Sequence, residues 1–489
     1  MNEIRLIEIL KTFSIEEIKS LKKFLNSPFI KSRRNLNDIL EYIIQYHPLY
    51  DSPKINKQSA FKKLFPEENF NDKKIQNLLF DLTKAVEDFL IHNILEEDEE
   101  ECMILLSKAF YKRKLSDYSM KTLKQIEKKL EPNFSPQKDY VSKFRRLTNI
   151  KISYHIDEND FANLLEEKRK YFEAASVQFI IDYAEMLQVK NSAITTHGKN
   201  LSNVFIKSLF ESFNIEKLIN VLGNSDYAYA PLIEVYFYKL KTIEEPEKTE
   251  YFFKLKESLL KILPIMDREE KHNLFNYLAT YCSVRVNKKD SKFIKEGLEV
   301  YKSMLENNAY SISDNENMQI LTYRNIYLYC YNIEETVWFR EFIEKFTDKL
   351  NSEHRDDMRN LAYAYLNIIN KEFETALVYV SKINHEFFLL KTDVKNLLLF
   401  LYYELDYVDQ AYSLVDSYKH FLTNTKEISD THKELFNNFL KNYFDLLKIK
   451  SGQSKEDPSF CIKKIEKETK IVSKNWLLSK ANELIKKNK

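Results

Sequence analysis

The scarcity of glycine restricts the fold of this chain more than any other feature. Its 489 residues contain only four glycines, whereas average usage would supply about 34. Glycine provides most of the φ > 0 positions that tight turns and β-bulges need, and a sheet-rich protein of this length has many of them. Antiparallel helices need far fewer. The composition therefore predicts an all-α protein.

Hydrophobic spacing predicts a compact N-terminal helical domain over residues 1–101. Ser14-Ile15-Glu16-Glu17 has the pattern of a capping box, and the helix that it opens should end before Pro28. Shorter helices are predicted near 36–46 and 57–65. A longer helix starting at Asn71-Asp72 carries the apolar stripe Ile75, Leu78, Leu79, Leu82, Val86, Phe89 and Leu90.

The acidic run 96–101 closes this domain. A run of this kind is usually a solvated helix face or a linker, and only occasionally a docking site for a basic partner. We predict the solvated face or linker here.

From about residue 102 the pattern becomes helix, short polar turn, helix. The clearest pair covers 360–383, with a turn at Asn370-Lys371-Glu372, and the next pair turns near Asp406. Ala364 is a small residue in a first helix. Ala376 and Ala411 occupy the same place in successive second helices, 35 residues apart.

These positions resemble the tetratricopeptide repeat family, whose helix pairs repeat about every 34 residues. The resemblance is clearest over about 355–420. Upstream the spacing loosens, and Gly297, Thr336 and Ala376 stand at comparable positions 39 and 40 residues apart. The resemblance implies a right-handed α-solenoid of degenerate helix pairs over 102–450.

Residues 451–489 are predicted to form a linker followed by C-terminal capping helices. Ser451 to Pro458 has linker composition, and the apolar residues that follow are spaced for one or two amphipathic helices. The segment contains ten lysines and five acidic residues, but the acids interrupt any basic face.

The whole chain also resembles a group of uncharacterised bacterial proteins. The residues that carry this resemblance are Phe24-Leu25-Asn26-Ser27-Pro28-Phe29, Lys62-Lys63-Leu64-Phe65-Pro66 and Trp476-Leu477-Leu478. That group has no assigned function, so the resemblance implies none.

Motifs for catalysis or cofactor binding are missing from the sequence. No two glycines lie close enough for a dinucleotide fingerprint or a phosphate-binding loop, and the nearest approach, 193–200, reads as a helix with a Gly198 cap. His92 with Glu96 and His354 with Asp357 share helix spacing but lack a third ligand. We predict no catalytic, cofactor or metal site. The alternative of an α-helical enzyme, with an active site assembled from distant residues, is supported by no sequence motif.

Net charge, cysteine spacing and hydropathy bear on the class of partner and on the cellular location of the protein. The formal net charge is +1, which argues against a dedicated nucleic-acid binder. The four cysteines lie dozens of residues apart, as expected of reduced thiols. No apolar stretch approaches the roughly 20 residues of a membrane span. We therefore predict a cytoplasmic location.

A binding function fits this pattern best. The leading hypothesis is a non-enzymatic scaffold or adaptor that binds a protein or peptide partner in a solenoid groove. Tyrosine combines a large contact area with a polar end. The candidate groove residues are Tyr323, Tyr327, Tyr329, Tyr363 and Tyr365, with ordinary core packing as the alternative for each.

The second hypothesis is a regulator whose N-terminal helical domain contacts DNA while the repeats sense a partner. It is motivated by the predicted helix pair 57–65 and 72–95 and by nearby bases. Those bases are Lys19, Lys22, Lys23, Lys31, Arg33 and Arg34.

Overall fold

The computed structural model describes residues 5–28, 35–130, 138–197, 204, 208, 215–222, 227–384, 388–425 and 430–487. Over these residues the regular structure is helical throughout, and it contains no strand. The all-α prediction is confirmed. No helix among the described residues is both long and apolar enough to cross a membrane.

The chain packs into two compact units. One comprises Met1–Phe134 with Asp139–Phe179, and the other comprises Ser135–Lys138 with Ile180–Lys489. The domain boundaries predicted near residues 101 and 450 stay predictions.

The first unit is built from helices α1 to α8 and the first half of α9. Their bounds are α1 Arg5–Lys11, α2 Ile15–Leu25, α3 Leu36–Ile44, α4 Lys57–Leu64, α5 Asp72–Glu97, α6 Glu99–Lys112, α7 Ser116–Leu130, α8 Lys138–Asp157 and α9 Phe161–His197.

Helix α5 forms the centre of the N-terminal part, because α1, α2, α3 and α4 all pack against it. The predicted stripe on α5 is buried from Ile75 to Phe89 in a core shared with these helices. The capping box at the start of α2 is confirmed: Ser14 Oγ accepts from the Glu17 backbone N–H at 3.1 Å, and Glu17 Oε2 accepts from the Ser14 N–H at 2.7 Å. The polar signals therefore set the helix start and the apolar stripe sets the packing.

The acidic run differs in part from its prediction. It is divided between α5 and α6, and the Asp98 carboxylate caps α6 by accepting from the Glu101 N–H at 2.9 Å. Glu100 pairs with Lys143 at 3.0 Å, and both carboxylate oxygens of Glu101 accept from Arg146 at 2.7 and 2.8 Å. The hydrogen bonds from Arg146 lower the pKa of Glu101. Two acids of the run thus dock on α8, in the same unit.

The second unit continues α9 and adds fourteen helices whose bounds are described. They are α10 Ile215–Leu222, α11 Ala230–Glu244, α12 Glu250–Ile262, α13 Arg268–Asn287, α14 Lys292–Glu306, α15 Ile320–Ile333, α16 Val337–Phe346, α17 Ser352–Ile369, α18 Phe373–Val380, α19 Phe388–Glu404, α20 Val408–Asn424, α21 Asp430–Lys450, α22 Pro458–Lys467 and α23 Lys474–Lys487.

Helix packing in the second unit follows the order of the chain. Among its described helices, most close contacts join helices that are adjacent or one apart in sequence, from α10 with α11 through to α22 with α23. The side chains of Arg324 and Trp476 are exceptions, because each reaches a helix four places away in chain order. The predicted small residues Ala364, Ala376 and Ala411 are completely buried. They allow the backbones of neighbouring helices to approach each other.

Left-handed residues end many of these helices even though glycine is rare. Among the described residues, nine non-glycine positions have positive φ, including Glu334 (57°) after α15, Lys371 (63°) after α17 and Asp406 (59°) after α19. The αL conformation is a common helix ending that normally favours glycine. These turns therefore adopt the usual αL geometry, although it is strained for their non-glycine residues.

The C-terminal helix α23 packs on earlier helices of the unit through Trp476. The indole stacks on Phe400 with ring centroids 4.5 Å apart and lies edge-on to Tyr403 at 5.3 Å. Lys480 pairs with Glu404 at 2.7 Å. These contacts fix the tail against α19.

Candidate functional site

The five candidate tyrosines do not line one surface. The Tyr323 hydroxyl lies 2.7 Å from Thr347 Oγ1, and the Tyr329 hydroxyl lies 3.1 Å from Ser283 Oγ. Tyr327 faces Asp393, and the Tyr365 ring stacks on that of Tyr327 with centroids 5.0 Å apart. The Tyr363 ring stacks on that of Tyr379 with centroids 5.2 Å apart. Four of them are buried, and only Tyr363 is partly exposed.

Burial removes Tyr323, Tyr327, Tyr329 and Tyr365 as partner contacts. Each of these four rings is at most 8% exposed, so none offers surface to a ligand. The physical reason is the size of the ring: in this aromatic-rich unit, tyrosines fill the space between neighbouring helices. A contact role for Tyr363 stays a prediction.

Two of the buried tyrosines surround an ion pair that joins α15 to α19. Arg324 Nε and Nη2 donate to the two carboxylate oxygens of Asp393 at 2.5 and 2.7 Å. The Tyr327 hydroxyl donates to Asp393 Oδ2 at 3.4 Å. The fork-to-fork geometry fixes the plane of the guanidinium.

Charge and burial act together at this cluster. Burial, reinforced by the Asp393 charge, raises the pKa of Tyr327 and of Tyr365 well above that of a free tyrosine. Burial alone would lower the pKa of Arg324, but its hydrogen bonds to Asp393 and the Asp393 charge outweigh that effect and raise it. At neutral pH the tyrosines are therefore neutral and Arg324 is charged, so these groups hold their positions without exchanging protons.

The outer side of Arg324 belongs to a partly exposed surface of α15, which we call the α15 face. It consists of Leu321, Arg324, Asn325 and Leu328, which share one side of the helix by their spacing. Leu321 is 47% exposed and the Arg324 side chain 24%. Asn325 Nδ2 donates to Tyr301 Oη at 3.2 Å. The α15 face thus combines exposed apolar surface with an oriented cation, and Asp393 does not engage Nη1 of that cation.

Lys395 provides a second partly buried cation on α19. Its ammonium lies 5.7 Å from the ring centroid of Tyr418 and 5.8 Å from that of Phe421. Burial lowers the pKa of Lys395. Contact with aromatic rings offsets part of the desolvation of such a cation.

Sequence reasoning missed Arg324 and Asp393 because they are 69 positions apart. A signal was present, since Asp393 lies directly before the apolar residue Val394, in the predicted helix that precedes the turn near Asp406. A charge beside such a stripe needs a partner when it is buried. The sequence could not say which residue that partner is.

Among the described residues, no group of three or more His, Cys, Asp or Glu side chains could hold a metal ion. His92 and Glu96 do share one face of α5, with Nε2 and Oε1 3.2 Å apart. Residues 193–197 belong to α9, whereas the predicted Gly198 cap lies outside the described residues.

The bases behind the DNA-binding hypothesis are partly paired or not described. Lys22 pairs with Glu41 at 3.3 Å, and on the predicted recognition pair Lys57 meets Asp72 at 3.2 Å. Residues 31, 33 and 34 lie outside the described residues. The DNA-contacting alternative stays a prediction.

No protein-family model, curated protein or solved structure matches this chain.

Proposed function

We propose that this protein is a non-enzymatic scaffold that binds a protein or peptide partner. The proposed binding element is a right-handed, tetratricopeptide-like solenoid formed by the helix pairs of the second unit. The observation that carries the proposal is the packing pattern of this unit, in which helices contact their neighbours along the chain. Arrays with that pattern leave an extended face of each repeat for ligands.

The buried alanines support the repeat character of this array. Ala376 and Ala411 lie at equivalent places in α18 and α20, and neither is exposed. A small residue at the same place in successive helices is what packing of repeated pairs requires, because larger side chains would push the helices apart.

The α15 face is the surface that suits a partner best. Protein interfaces combine apolar anchors with arginine, and residues that are already ordered lose little entropy on binding. Asp393 holds Arg324 in place before any partner arrives. Leu321 supplies apolar surface one turn away.

A comparative capture experiment tests the proposal. The full-length protein and a Leu321→Glu variant are used as baits in lysate of the native host, with chemical crosslinking and mass spectrometry. Val378→Glu is the matched control, since Val378 is 54% exposed and lies on the second helix α18. We expect a partner that wild type and Val378→Glu capture and that Leu321→Glu loses.

Two results would contradict the proposal. One is an identical captured set for all three baits, and the other is no capture above an empty matrix. Tyr363→Ala in the same experiment tests the remaining tyrosine, whose loss should weaken capture if its exposed ring contacts the partner.

A further inference from the structure

One side of α9 in the first unit exposes three large apolar residues. Phe161, Leu165 and Phe172 are 72%, 75% and 72% exposed. Their spacings of four and seven residues place them on the same side of the helix. Single exposed apolar residues are ordinary, but a continuous stripe of this kind marks an interaction surface.

The same side of the helix also contains a depression. It is shallow and open to solvent, and it is lined by Ala162, Leu165, Glu166, Lys168, Arg169 and Phe172. Phe161 and Phe172 are exposed at the two ends of the stripe, and the small residue Ala162 lines the depression. Helices pack by fitting the side-chain ridges of one into the grooves of the other, and this side of α9 has both features.

Charges of alternating sign run along one edge of the stripe. Glu166, Arg169 and Glu173 follow one another there, and Arg169 pairs with Glu166 at 2.7 Å and with Glu173 at 2.5 Å. When two identical helices pack antiparallel about a twofold axis, the same edge of each helix faces its copy. With the axis midway between Phe161 and Phe172, Arg169 would lie close to Glu166 of the second copy and Glu166 close to Arg169 of that copy, so these two charges are complementary across the contact.

We infer that this side of α9, residues 161–173, is a binding surface for a second copy of this chain, packed antiparallel about a twofold axis. Isologous contacts of this kind are the commonest in homo-oligomers. The alternating edge favours a second copy over a strongly acidic or basic partner, because either would meet like charges. The surface lies in the first unit and is separate from the α15 face.

Sedimentation equilibrium of the full-length protein over a range of concentrations tests the inference. We expect a monomer–dimer equilibrium for wild type. Leu165→Glu places a charge at the centre of the contact and should weaken dimerisation by roughly 30-fold or more, as loss of a central interface residue does. The matched control is Val337→Glu on α16, since Val337 is 71% exposed and should leave dimerisation unchanged.

A charge-swap pair tests the antiparallel arrangement. Arg169→Glu and the double variant Glu166→Arg with Glu173→Arg should each dimerise more weakly than wild type, because each creates like charges along the facing edges. Mixing the two should restore association as a heterodimer. Circular dichroism of each variant checks that α9 stays folded, since intrahelical pairs contribute only about 0.2–0.5 kcal/mol each.

Three results would overturn the inference. They are a monomer at every concentration of wild type, a dimer that Leu165→Glu leaves intact, and equal weakening by Leu165→Glu and Val337→Glu. None of them bears on partner capture by the α15 face, so the two proposals fail separately.

Discussion

Replacing Gly297 with alanine should destabilise the protein, although alanine is the better helix former. Gly297 lies inside α14 and is buried. A Cβ atom added there would lie 2.5 Å from Cε1 and Cζ of Tyr329. Carbon atoms in normal contact are about 3.5–4.0 Å apart. The Tyr329 ring would therefore have to move by about 1 Å.

The ring has little freedom to make this movement. Tyr329 is only 8% exposed, and its hydroxyl is 3.1 Å from Ser283 Oγ. The ring of Tyr301 lies beside it at 5.8 Å. Overpacking a core costs about 1–3 kcal/mol, and loss of the hydrogen bond costs about 1 kcal/mol more. The higher helix propensity of alanine stabilises the variant by about 1 kcal/mol. The net loss in the free energy of unfolding is therefore roughly 1–3 kcal/mol.

Urea unfolding followed by tryptophan fluorescence measures this loss. The only two tryptophans, Trp338 and Trp476, belong to the same unit as Gly297, so the signal reports on that unit. Tyr329→Phe is the control for the hydrogen bond alone. In a Tyr329→Leu background the ring is gone, and Gly297→Ala should become neutral or stabilising. The reasoning is refuted if Gly297→Ala in the wild type unfolds at the same or a higher urea concentration.

Three further outcomes are expected. Asp393→Asn should lower the free energy of unfolding of the second unit by about 2–4 kcal/mol, because it removes the buried carboxylate that pairs with the partly buried Arg324, and an unchanged urea midpoint would contradict this. Glu334→Gly should raise the free energy of unfolding of the second unit by about 0.5–1 kcal/mol, because glycine adopts the αL conformation without strain. A lower urea midpoint would show that the turn is not strained. A thiol reagent at neutral pH should label Cys102, which is exposed, well before buried Cys282, whose pKa burial raises to about 12; equal labelling rates in the folded protein would contradict this.

Local signals in the sequence predicted the helices themselves. The Ser14 capping box, the Asn71 cap and the apolar stripe of α5 each depend on residues within a turn or two, and all three appear as predicted. Such signals can be recognised without knowing the fold, because side-chain caps and helical periodicity are short-range effects. The equivalent places of Ala376 and Ala411 in their helices could likewise be predicted from sequence spacing, and both residues are buried.

Glycine usage was informative about fold class but not about turn geometry. The low count predicted helices, and the described residues are helical. Yet left-handed turns occur at Lys371 and Asp406 without glycine. A helix ending can impose positive φ on any residue when packing of the next helix compensates for the strain, and that compensation is a tertiary effect.

Short-range sequence patterns are enough to predict that this chain forms amphipathic helices and where many of them begin and end. Which side chains meet across long sequence separations depends on the three-dimensional packing of the chain. This packing buried Tyr327 and Tyr365 in the core, joined Arg324 to Asp393, and left Leu165 exposed. The physical reason is that periodicity identifies the apolar side of one helix, whereas burial depends on which other helix covers that side.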